Sequence, residues 1–323
     1  MKEKLMSNEQ LNAEVTKLFE QINEMIPEEL VVQYGNQKSG YVRYDQSYQT
    51  AENGQLIIHV QDVTAPNYTV SHELLHKLME VKKFPQIQFR LTSGNREFDE
   101  QLMIITTALY DAVLHLNIYE WQRKHGLLTE EVQADYLEGI VQTITPEKAG
   151  KLDPMMHLRL MTVLDALVFY GDDFDKVTDQ FKRDYPVTLA AAEKLYQLIT
   201  EKPVDSPFAV RRTIVALFAE FDNVLKELGL PTLGSSEFVT LESVLSERQL
   251  RLEVRQLFQI SHSEIQDAVT KKRAYIGLGV HDQQNAFVLP MPPKSQTEEY
   301  FKTLYGLSVR ELFEKLQIPY LVR

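Results

Sequence analysis

The sequence predicts an α+β fold in which helix predominates, on three observations. Before residue 61, short β-branched and aromatic runs are separated by Gly, Asn and Ser; from about residue 129 to 259 helical patterns follow one another; near the end two β-runs flank a polar turn. The implied organisation is a small N-terminal sheet with a helix pair over residues 1–128, then a mainly helical region with a C-terminal hairpin over 129–323. The two regions could also form one integrated domain.

In order, Leu11, Val15, Leu18, Phe19 and Ile22 recur at helical spacing between acids, which predicts an amphipathic first helix from about Asn8 to Glu24. Three strands are expected at Leu30–Tyr34, Gly40–Tyr44 and Gln55–Val60. Pro66 and Asn67 mark a helix start, and Val70, Leu74, Leu75 and Leu78 continue it until Phe84-Pro85 turns the backbone out of helix. Leu102 to Ile118 is almost wholly apolar and reads as a helix buried nearly all round. Tyrosine aside, its only ionisable side chains are Asp111 and His115, four apart and so on one face. Further helices are expected at Glu131–Thr143, Asp153–Tyr170, Phe174–Asp184, Thr188–Thr200, Pro207–Leu228 and Thr240–Phe258. Ala274–Val280 and Ala286–Leu289 form the hairpin, ended by Pro290, Pro292 and Pro293, before two last helices at Gln296–Tyr305 and Ser308–Leu316.

Composition narrows the chemistry. With 44% hydrophobic residues in 323, there is ample material for cores. The first twenty residues carry charges throughout, and no segment has eighteen uninterrupted apolar residues, so a cytoplasmic address without membrane association is expected. There is no cysteine, which excludes disulfides and thiolate ligands; any zinc must be held by nitrogen and oxygen. A net charge of -12 argues against nucleic acid as partner, because the phosphate-neutralising surface is missing.

The most informative stretch is His72-Glu73-Leu74-Leu75-His76. Two histidines four apart stand one turn apart on one helical face, where both imidazoles can reach one cation; the intervening glutamate is placed to take a proton from a water that the cation polarises. A buried carboxylate or imidazole on the next helix would complete such a set, since an unpaired charge there is costly. The bland alternatives are a pair of ordinary helix histidines at 72 and 76, and a mutually bonded Asp111/His115 pair that stabilises packing.

On this pentapeptide, residues 56 to 126 resemble the zincin metallopeptidase superfamily, and more loosely its small intracellular bacterial IrrE-like members. The resemblance implies a Zn2+ cofactor, His72 and His76 as ligands, Glu73 as general base, and a peptide or protein substrate. It also implies a sheet before the motif helix whose edge strand pairs with extended substrate, here the strand from Leu56 to Val60. The sequence departs from the family at the third ligand. Asn95 to Glu100 lies at the gluzincin distance without the full pattern, and Lys77 to Gln86 lacks the metzincin glycine and histidine. Asp111 or His115 is the first choice, Glu97 or Glu100 the second. His262, His281 and several tyrosines are candidates to stabilise an oxyanion, whereas His59, His125 and His157 read as structural. The leading expectation is a zinc-dependent peptidase. The alternatives are an inactive zincin-fold binding or regulatory protein, and an acidic helical scaffold in which the motif is accidental.

Overall fold

A computed structural model describes residues 11–148, 153–289 and 297–323. The fold is mixed α+β with helix predominating. The chain divides into two compact units, one of residues 1–82 and 114–193, the other of 83–113 and 194–323. Residues 129–193, expected in the second region, thus cluster with the N-terminal sheet, and 83–113 with the C-terminal part.

In the first unit, α1 (Ala13–Met25) is capped by Asn12, whose side chain accepts from the Val15 amide at 2.9 Å. A three-stranded sheet follows from β1 (Glu29–Gln37), β2 (Ser47–Glu52) and β3 (Gln55–Asp62), in the order β1-β3-β2. β3 pairs parallel with β1 and antiparallel with β2. It is therefore the central strand, with both edges used, and cannot accept an added strand as expected for Leu56–Val60. The Asn53-Gly54 turn between β2 and β3 has positive φ at both residues (52° and 80°), the conformation a two-residue hairpin of right-twisted strands needs. The expected strand at Gly40–Tyr44 is irregular and leads into a short 3₁₀ turn; the strand forms later, at Ser47–Glu52. Gln46 accepts from the Arg43 amide at 2.8 Å and closes that turn locally. α2 (Pro66–Val81) starts with Pro66 in its first turn, but Asn67 is not its cap; its Oδ1 accepts from the Asn12 amide at 2.8 Å.

The long helix α3 (Arg96–Lys124) contributes its C-terminal half to this unit, followed by α4 (Glu130–Thr143), α5 (Met156–Tyr170), α6 (Thr178–Asp184) and α7 (Pro186–Thr200). α3 is long and apolar enough to cross a membrane by length and composition alone, and half of that window is buried within the protein, as in a core helix. It is not buried all round, because Met103 and Ile104 are exposed. Close backbone approach fixes α4: a Cβ on Gly139 would meet the Val42 carbonyl oxygen at 1.8 Å, so only glycine fits.

The second unit holds β4 (Ile87–Gln88) and β5 (Leu91–Thr92), the start of α3, and α8 (Pro207–Glu227), capped by Ser206. The expected helix at Thr240–Phe258 does not form. After α9 (Ser235–Phe238) come β6 (Thr240–Leu241), β7 (Ser243–Leu245) and two single turns, α10 (Glu247–Leu250) and α11 (Val254–Leu257). Capping boxes at Ser246 and Glu253 restart the chain each time. The flanking strands pair with distant partners, β6 with β4 and β7 with the terminal β11 (Tyr320–Val322). β9 (Arg273–Gly279) and β10 (Asn285–Leu289) form the expected hairpin, extended by β8 (Phe258–Asp267) and β5 into a four-stranded sheet. α12 (Thr297–Gly306) and α13 (Val309–Leu316) follow, and Leu304, Val309, Leu312 and Phe313 join Phe258 and Phe287 in one core. The hairpin-ending prolines and Gln296 lie outside the described residues.

Candidate metal centre

α2 and α3 are tied together beneath the motif by Gln122. Its buried amide nitrogen donates to the Tyr68 carbonyl at 2.9 Å and to Ser71 Oγ at 2.8 Å. Gln122, Tyr119 and His115 lie at helical spacing on one face of α3, so this tie sets the height at which His115 meets α2. There the His76 Nε2 atom lies 3.1 Å from His72 Nε2 and 3.2 Å from His115 Nε2. Among the described residues, His72, His76 and His115 are the group of histidine and acidic side chains able to share one metal ion. Of the two first-choice candidates the structure brings in His115. Asp111, one turn earlier, is not in the group, nor are Glu97 and Glu100, which are exposed in the first turns of α3.

A carboxylate holds His115 from behind. His115 Nδ1 is 2.5 Å from Asp165 Oδ1 on α5, and Asp165 Oδ2 accepts from Tyr136 at 2.5 Å and Tyr119 at 3.1 Å. With a proton on Nδ1 facing the carboxylate, His115 turns its Nε2 towards the other two rings. Burial alone would raise the Asp165 carboxyl, but His115 beside it and the hydrogen bonds from His115, Tyr136 and Tyr119 carry it below the ordinary range. Burial and the Asp165 charge push both tyrosine hydroxyls well above theirs, so they stay protonated donors. Phe169 stacks flat on Tyr136, with ring centroids 3.7 Å apart, and walls this network.

The imidazoles on α2 are poor bases. Burial, then His115, lowers His76 to about 3, and burial with His115 and His76 puts His72 well below its usual value. Two neutral rings on α2 then converge on the His115 Nε2. The His115 Nδ1 proton faces Asp165, and one proton on His76 Nε2 cannot satisfy two neighbouring nitrogens. The buried His72 Nδ1 has no hydrogen-bond partner among the described residues. A cation accepting all three lone pairs resolves the shortage. The spacing suits it: ligands about 2.0–2.1 Å from a tetrahedral zinc stand roughly 3.4 Å apart, close to the 3.1 and 3.2 Å seen. An all-nitrogen set of three, with a fourth position left over, is a donor pattern of catalytic rather than structural zinc.

Glu73, half-buried, is gripped by β2. Ser47 Oγ donates to Oε1 at 2.6 Å, and Gln49 Nε2 donates to Oε2 and to the Glu73 carbonyl, each at 2.9 Å. The edge strand that addresses the motif helix is thus β2, not β3. The remaining histidines have local roles or none visible: His59 meets Thr50 Oγ1 at 2.8 Å and stacks on Tyr48, and His125 stacks on Trp121. His262 lies on β8 against Tyr275, and His281 follows β9; neither joins the cluster. Asp165, Tyr119, Tyr136, Ser47 and Gln49 were not anticipated. Asp165 had a signal, being the lone charge in the apolar run from Leu160 to Tyr170, the same signature that singled out Asp111 and His115. No family model, curated protein or solved structure matches this chain.

Proposed function

We propose that the protein is a zinc-dependent hydrolase, most simply a peptidase, in which His72, His76 and His115 hold the metal and Glu73 is the general base. The observation that carries this reading is the convergence of three proton-poor imidazole nitrogens beside a glutamate. Bound there, zinc supplies a Lewis acid that polarises a carbonyl and acidifies water. The chain does the rest. Asp165 fixes the ring orientation of His115, and its two tyrosines keep that carboxylate ionised. Ser47 and Gln49 orient the Glu73 carboxylate while leaving each oxygen a further lone pair with which to take a proton from water. The proton then passes from Glu73 to the leaving amine.

A second reading, a metal-binding module without catalysis, is favoured by the same grip of β2 on Glu73, because both carboxylate oxygens are already engaged by donors on that strand. The test is metal analysis of protein purified without chelator, followed by incubation with a mixed peptide library. About one equivalent of zinc, peptide cleavage, and a Glu73→Gln variant that keeps zinc but does not cleave would support the hydrolase. Zinc without cleavage favours the binding module, and the absence of zinc overturns both.

A further inference from the structure

The second unit encloses a cleft of about 320 Å³, within the range of small-molecule sites. Its walls are apolar, with Val215 on α8, Val244 on β7, Leu257 and Phe258 among them. Its rim is cationic. Three guanidinium groups line it, from Arg211, Arg212 and Arg323, against a single acid, Asp282. That acid is already engaged, since Arg211 Nη1 pairs with it at 2.6 Å while Arg211 Nε donates to the Glu242 carbonyl. Neither Arg212 nor Arg323 has an acidic side-chain partner among the described residues, and the Arg323 Cζ lies over the Phe208 ring, 3.7 Å from its centroid. A chain of net charge -12 therefore lines an apolar cavity with two arginines that have no acidic side-chain partner among the described residues. Their planar forks match an oxyanion in two contacts each.

We propose that this cleft binds a small organic oxyanion. Its carboxylate or phosphate head is held by Arg212 and Arg323, and its short aliphatic body lies among Val215, Val244, Leu257 and Phe258. The proposal is independent of the zinc reading. It is tested by isothermal titration of the full chain with octanoate, octyl phosphate, octanol and inorganic phosphate. Octanoate or octyl phosphate should bind one to one, with octanol and inorganic phosphate at least about tenfold weaker; the tighter octyl anion names the head group. An Arg212→Gln/Arg323→Gln double variant, changed only at exposed side chains, should lose about tenfold or more for the anion and nothing for octanol. Val280→Trp, placing an indole at the partly exposed rim, should weaken both. Octanol binding as tightly as the anions, a double variant that binds like the parent, or no saturable binding of either octyl anion would overturn it.

Discussion

Two polar clusters share the helix α5 and teach opposite lessons. At one end Arg159, almost wholly buried, has a partner for each guanidinium nitrogen. Its guanidinium donates to the Thr145 carbonyl at 2.6 Å, to Asp153 at 2.7 and 3.0 Å, and to Thr145 Oγ1 at 3.2 Å. Six residues later Asp165 backs a cluster whose three imidazoles cannot satisfy one another. A buried group with a partner for each nitrogen is architecture; one short of protons is a candidate for an added ligand.

Substitutions at the two ends should separate these roles. Arg159→Met leaves the Thr145 carbonyl without this donor and Asp153 with only the Met155 amide, and should cost about 2–3 kcal/mol in urea unfolding, with zinc content unchanged. Zinc at about 100 times its dissociation constant should stabilise the parent by roughly 3 kcal/mol and a His76→Ala variant not at all. Asp165→Asn removes the charge that holds the His115 proton, and should weaken zinc about 10- to 100-fold in competition with a chelator while the fold persists.

The smallest effect is on pH. His72 and His76 are held neutral in the fold, with His76 at about 3, while an unfolded histidine titrates near 6.5. Below about 6.5 the unfolded chain takes up protons that the folded chain refuses, so metal-free stability should fall with pH, by about 1 kcal/mol per imidazole at pH 5.5. His76→Gln should lose its share of that slope, and Arg159→Met should keep all of it.

What the sequence made legible follows the range of the interactions. The motif helix, His115 and the β9–β10 hairpin were readable because periodicity and turn chemistry act within a few residues. Thr240 to Phe258 misleads because Leu241, Val244, Leu245 and Leu250 fit a helical stripe, yet β6 is held by a strand about 150 residues away and β7 by one more than 70 residues away. β2 was missed because its face is polar and mostly exposed, so pairing with β3, not burial, makes it a strand. The choice between Asp111 and His115 turned on the rotation of α3, which Gln122 sets against Tyr68 and Ser71 and which no local pattern encodes.

The same choice is open to direct measurement. Equilibrium dialysis against zinc should give one equivalent for the parent chain and for Asp111→Asn, and essentially none for His115→Ala. Zinc retained by His115→Ala but lost by Asp111→Asn, or no zinc in the parent, would contradict the three-histidine centre.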